Sequence, residues 1–249
     1  MSSVAHYNSA AQLAPKGCAA LRSSHRAAKH AYISHAADLA ANGIAHCHVL
    51  DFACGRGGDL PKCQGCASYV GVDSAELAVV ELHRRAREMD MDVHTHVGDA
   101  CDVPTMMCNL ALCNFAVHYF CDTQEHCTRL VRKVAACLQC NGVFCGTYER
   151  IGCGRKYGVA RHVVIGDCVD AVEWHVPYHH FFEMALQEGL ALVWHAPLAF
   201  YDSRAEPGIW VFMMRQADRR PPCGTTQTGS ATLRMAHPPQ ACCPAPDRT

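Results

Sequence analysis

The chain has 249 residues, half of them hydrophobic and 18% charged, with a formal net charge of −1. That hydrophobic content excludes a wholly disordered chain, and the near-zero charge means that nucleic-acid binding must come from a local basic patch. No apolar run approaches the ~20 residues of a membrane span and the opening residues lack a signal peptide's apolar stretch, so a soluble, intracellular protein with no membrane partner is expected. The 18 cysteines, in a chain this long, read as reduced and mostly buried thiols.

Residues 1–37 contain no Asp or Glu but carry Lys16, Arg22, Arg26 and Lys29. Within this basic N-terminal region, taken as 1–47, the Ala-rich stretch Leu21 to Ala41 has no Pro or Gly and should be helical. His48–Phe52 and Ser68–Asp73 are short β-prone runs with an acid near their C-terminal ends, and Ala75–Met89 reads as a helix. Asp92–Gly98 and Leu110–Val117 read as strands, Glu125–Leu138 as a helix and Gly142–Tyr148 as a strand. Glu183–Glu188 closes a helix, and Leu190–Trp194 with Ile209–Met214 form a last strand pair. The alternation predicts an α/β fold: a doubly wound, mostly parallel sheet with helices on both faces and an antiparallel final pair. Ala217–Thr249 holds six of the 12 prolines and no aromatic residue, and should be disordered.

The loop after the first strand, Asp51-Phe52-Ala53-Cys54-Gly55-Arg56-Gly57-Gly58-Asp59, has the small residues that let a backbone turn tightly and approach a ligand. Asp73 stands at the end of the next strand, where a ribose-binding acid belongs. Nicotinamide and S-adenosylmethionine folds share this geometry. Asp51 and Asp59 favour the second, because carboxylates repel a pyrophosphate and attract a sulfonium bearing an amino group. Asp99, ending the third strand, could hold an adenine amino group. Two C-x-x-C pairs, Cys63/Cys66 and Cys137/Cys140, lie far apart, the second at a helix end, and are read as coincidence rather than as a zinc site.

These residues also carry a resemblance. The chain resembles the mRNA cap guanine-N7 methyltransferases of eukaryotes and large DNA viruses over roughly residues 6–216. The matching segments are His6-Tyr7-Asn8, Leu21-Arg22 with Lys29 and Ile33, and Val49-Leu50-Asp51 through Gly57-Gly58-Asp59. They continue with Tyr69 to Asp73, Phe115 with His118-Tyr119, Gly142 to Thr147, Glu173, Glu183-Met184-Ala185 and Phe200-Tyr201. The Gly-Gly-Asp loop followed at this distance by Phe-x-x-His-Tyr is its most specific part.

The resemblance implies a class I, Rossmann-like methyltransferase domain over 1–216 that moves a methyl group from S-adenosylmethionine to guanine N7 of the RNA cap. It implies that Lys29, Gly55, Asp73, Asp99, Asn114 and Tyr119 line the cofactor pocket. Arg56, Lys62 and Arg85 correspond to contacts with the cap's phosphates, and His25, His118, Glu173 and Trp210 to the guanine pocket. Basic groups suit a triphosphate, a carboxylate accepts from guanine N1–H and its amine, and an aromatic face stacks on the base. No residue is expected to transfer a proton, and no metal is expected. Capped RNA is the implied partner, with an activating subunit or other capping enzymes as further ones, and a nucleus, viral replication site or cytoplasm as the place. The chain departs from the family pattern at Ala53 for Gly, His25 for Asn, Asn114 for Gln, Trp210 for Tyr, and Gly146-Thr147-Tyr148-Glu149-Arg150 for a Gly-Thr-Thr-Pro-Asn run. The connection from Arg150 to Asp170 is also shorter than usual. Methylation of another acceptor, or a catalytically weak cap-binding subunit, are the competing readings.

Overall fold

Short apolar runs with no polar side to offer water dictate a sheet covered on both faces. In the computed structural model, which describes residues 19–151, 156–165, 169–206 and 208–217, that is the arrangement found. Seven strands lie in the order β3-β2-β1-β4-β5-β9-β8. β1 (His48–Phe52), β2 (Ser68–Asp73), β3 (His94–Val97), β4 (Cys108–Cys113) and β5 (Leu138–Glu149) run parallel. β9 (Ile209–Gln216) is antiparallel to both β5 and β8 (Leu190–Pro197), as the final pair should be.

Alternation along each strand sorts the core into two layers. Val49, Leu110, Leu112, Val143 and Met213 face a layer shared with Tyr32, Ile33 and Leu82, from α1 (Ala19–Ala41) and α3 (Glu76–Glu88). Leu50, Phe52, Ala111, Phe144 and Phe212 face the opposite layer, with Leu130 and Val131 of α4 (Gln124–Cys137) and Phe181 of α5 (Tyr178–Gln187). On α1 the buried residues Ala28, Tyr32, Ile33, Ala36 and Ala37 form one stripe, while Arg26 and His30 remain exposed. A sheet position filled on both faces has little tolerance for truncation, since Leu→Ala in such cores typically costs about 2–5 kcal/mol.

Three elements differ from the sequence expectation. β4 stops at Cys113 instead of reaching Val117, because Phe115 takes φ +55° and turns the chain into a 3-10 turn at Val117–Phe120. The Phe115 amide donates to Thr147 Oγ1 at 2.7 Å, which holds that unfavourable conformation in place. A one-turn helix, α2 (Leu60–Cys63), follows the glycine loop with Pro61 in its first turn. An unforeseen antiparallel hairpin, β6 (Ala160–Ile165) with β7 (Val169–Trp174), forms a small second sheet. The expected disordered tail and the His6-Tyr7-Asn8 segment lie outside the described residues, apart from Ala217.

Ala53, in place of a glycine, sits at φ +59°. The left-handed region costs an L-residue roughly 1–2 kcal/mol, and glycine's extra unfolded-state entropy takes back roughly 0.4–1 kcal/mol. Ala53→Gly should therefore stabilise the fold by about 0.5–1 kcal/mol and raise Tm by about 1–4 °C. A thermal melt with equal or lower Tm would show that Ala53 carries no net strain.

Candidate functional site

Strand order reverses between β1 and β4, and the crevice above the carboxyl ends of these strands is where doubly wound sheets place ligands. A cleft of about 460 Å³ opens there, a size suited to a small molecule. All six residues expected to hold a cofactor line it: Lys29 from α1, Gly55 from the β1–α2 loop, Asp73 at the end of β2, Asp99 after β3, and Asn114 and Tyr119 after β4. Phe115 and His126 line it as well. His126 is not among the expected site residues, since nothing in a helix's local pattern marks a histidine that looks into a cleft.

Asp73 ties the site to the loop. Its Oδ2 accepts from the Gly55 amide at 2.7 Å and its Oδ1 from the Ala75 amide at 2.8 Å. Burial pushes this carboxyl up, and the amides of Ala75, Gly55 and Ser74 oppose the push. The three amides leave at least one of the carboxylate's roughly four lone-pair positions open, so the group can still accept from a diol.

Asp59, at the other end of the loop, is a buried hub. Lys29 Nζ lies 2.9 and 3.0 Å from its two oxygens, Lys62 Nζ 3.3 Å from Oδ1, and Asn114 Nδ2 donates to Oδ2 at 2.9 Å. Burial alone would raise this carboxyl, but the two ammonium groups and the amide together hold it below the usual carboxylate range. Asn114 Oδ1, by contrast, is buried without a hydrogen-bond partner among the described residues, on a residue that lines the cleft.

Beneath this hub Asp51 is wholly enclosed and accepts from the Tyr69 hydroxyl at 2.6 Å. Burial first, then the neighbouring Asp59 charge, push its carboxyl up to about 7. An unfolded Asp titrates near about 4, so the folded chain holds this proton more tightly. The resulting stabilisation is full below pH ~4 and is lost as pH rises towards ~7. Asp51→Asn should therefore gain stability relative to the parent between pH 5 and pH 8. Denaturant midpoints at both values test this, and a constant difference would mean that Asp51 is ionised throughout.

The residues expected to meet phosphate separate into two places. Arg56 and Arg85 converge on Glu81 of α3, Arg85 Nε at 2.8 Å and Arg56 Nη2 at 4.0 Å, with Arg84 Nε at 2.7 Å. Lys62 is not with them. α2 starts directly after Asp59, so Lys62 falls three residues on and folds back under the loop, pairing with Asp59 and donating to the Gly58 carbonyl. With only 5% of its side chain exposed, it has a structural partner already rather than an open face.

Of the expected base-binding residues, Glu173 and His118 adjoin the cleft through Tyr119, and His25 through Phe115. Glu173 is 8% exposed, near the end of β7, and its Oε1 is 3.4 Å from His118 Nε2. Burial drives His118 down to about 3, so the imidazole is neutral at physiological pH. Tyr119 and Arg161 also hydrogen-bond the Glu173 carboxyl. Trp210 has the Arg150 guanidinium 4.6 Å over its ring and the His195 ring at 4.7 Å. A base stacking on Trp210 would take the place of one of them. His25 stacks on Phe115 at 4.9 Å, with Lys29 Nζ 5.0 Å from the same ring. Among the described residues, Asp99, Cys101 and His126 bring one metal-ligating atom each within 4.8 Å, and neither C-x-x-C pair belongs to that group.

Residues 3–153 match the family model for the mRNA (guanine-N(7))-methyltransferase domain. Among curated proteins, the chain is 27% identical over 203 residues to mRNA cap guanine-N(7) methyltransferase 1 of Oryza sativa subsp. japonica, covering 58% of this chain and 53% of that one. It is 27% identical over 194 residues to mRNA cap guanine-N(7) methyltransferase of Schizosaccharomyces pombe, covering 60% and 54%. The chain thus spans about half the length of the curated relatives it matches. Among solved structures it resembles magnesium protoporphyrin IX methyltransferase from Synechocystis PCC 6803 with bound SAM, at TM-score 0.61, 11% identity and coverage of 83% and 88%. It also resembles an S-adenosylmethionine-dependent methyltransferase from Clostridium acetobutylicum ATCC 824, at TM-score 0.56, 12% identity and coverage of 68% and 83%. These structural likenesses establish the fold.

Proposed function

For a chain that belongs to the mRNA (guanine-N(7))-methyltransferase family, we propose methyl transfer from S-adenosylmethionine to guanine N7 of a capped RNA 5′ end. The observation that carries this reading is the convergence of Lys29, Gly55, Asp73, Asp99, Asn114 and Tyr119 on one cleft, with the buried Glu173–His118 pair beside it.

The donor set fits the cofactor. Asp73 suits a ribose diol and Asp99 an adenine amine. The Lys29–Asp59 pair complements the carboxylate and ammonium of a methionine end, and the unpartnered Asn114 Oδ1 suits a further donor. When bound, S-adenosylmethionine supplies an electrophilic methyl group on a sulfonium. The protein's own residues then hold the acceptor. Glu173 accepts from guanine N1–H and the exocyclic amine, and Arg56 and Arg85 take the phosphates. Guanine N7 carries a free lone pair and no proton, so the residues that hold the acceptor would need to supply no general base. Rate comes from proximity and from carboxylates facing a base that becomes cationic. Acting on capped transcripts puts the protein in a nucleus or a viral replication site; among the described residues no helix is long and apolar enough to cross a membrane.

Labelled-methyl transfer to GpppG, against ApppA and uncapped triphosphate RNA, tests the reading; equal labelling of all three would end it. Neutralising Arg56 and Arg85 together should weaken cap binding and flatten its log–log salt dependence by roughly one to two, leaving S-adenosylhomocysteine affinity unchanged. Joint loss of both affinities would mean that the arginines support the cofactor side.

A further inference from the structure

Glu173 is also held from β6, the other strand of its hairpin. Arg161 lies directly opposite it in the β6–β7 register, and Arg161 Nη2 is 3.2 Å from Glu173 Oε2. The same nitrogen also donates to Glu149 Oε2 at the end of β5, so one guanidinium joins the small hairpin to the main sheet. Among the described residues, the carboxyl also meets the neutral His118, facing Oε1, and the Tyr119 hydroxyl. One cation therefore serves two carboxylates, and the three side chains carry a net charge of one minus.

We propose that Arg161 is a positioning residue of the guanine pocket, fixing Glu173 through Oε2 so that Oε1 is presented to the base. This rests on the cap-methylation reading for the part played by Glu173. Burial opposes ionisation of that carboxyl, Glu149 adds to the opposition, and Arg161 is the charged group that counters both. The two neighbours consequently act with opposite sign.

Arg161→Gln should raise KM for GpppG about tenfold at pH 7 and move the acid limb of kcat/KM up by about one pH unit, with S-adenosylhomocysteine affinity within twofold of the parent. Glu149→Gln should move the same limb down, because Arg161 is then wholly Glu173's. Arg161→Lys should restore most of the limb's position while recovering only part of KM, since an ammonium returns the charge without the planar fork. Purely structural bracing by Arg161 predicts a lower Tm with an unmoved limb, which would overturn the proposal, as would limbs moving the same way in Arg161→Gln and Glu149→Gln. Carbon-13 NMR titration of the Glu173 carboxyl, assigned with Glu173→Gln, reads the same shifts without turnover. An unlabelled GpppG in the parent assay would thus end the cap reading alone, and an unmoved Glu173 titration in Arg161→Gln would end this one.

Discussion

Asp73→Ala should weaken S-adenosylhomocysteine binding at least a hundredfold in calorimetry. Two hydrogen bonds to an ionised carboxylate contribute roughly 1.5–3 kcal/mol each, and about 2.7 kcal/mol is a factor of a hundred. The alanine loses more than the ligand's partner, because the Gly55 and Ala75 amides now bonded to Asp73 are also released and the loop above β1 is untied. Asp73→Asn separates the two effects. Its amide oxygen can keep one backbone donor, so it should fold with a near-parental Tm yet bind roughly tenfold or more weakly for want of the charge. Near-parental affinity in both variants would remove Asp73 from the cofactor site, whatever their melting curves.

How much of this could be read beforehand depends on the range of the forces involved. β1 and β2 match their expected limits because HVLDF and SYVGVD are short β-prone runs with an acid at or next to their C-terminal ends, all local information. Apart from Lys29 on α1, the cofactor-side residues fell together because they sit at or just after strand ends, which topology alone gathers at the switch point. What escaped depends on distant partners. Phe115 looks like one more strand residue until Thr147, on the next strand, is seen to hold its amide. Lys62 reads as a surface cation until α2 places it against Asp59. Arg161 lies in the connection noted only for being short, and its significance comes from Glu149 and Glu173, each twelve residues away along the chain.

Glu173→Gln should lower kcat/KM for a cap dinucleotide about a hundredfold, a loss of roughly 3 kcal/mol of transition-state stabilisation. The carboxylate matters twice. It accepts from the donor–donor edge of guanine that adenine lacks, and its charge gains value as N7 becomes cationic. Glutamine keeps the shape but can turn an NH₂ towards those donors, and it leaves Arg161 to Glu149 alone, so the local charge changes from one minus to zero. Because the lost charge acts partly in the transition state, kcat should fall as well as KM rise. The effect on folding should be small, since Glu149 still partners Arg161 and His118 is neutral with or without the carboxylate. S-adenosylhomocysteine affinity should stay near the parental value, as Glu173 is not among the cleft-lining residues. If Glu173 were only an acid closing the β6–β7 ladder, the variant would keep its activity or would lose it in step with Tm. Steady-state kinetics on GpppG beside a melting curve separates these outcomes, and a fully active or merely unstable protein would take Glu173 out of the base pocket.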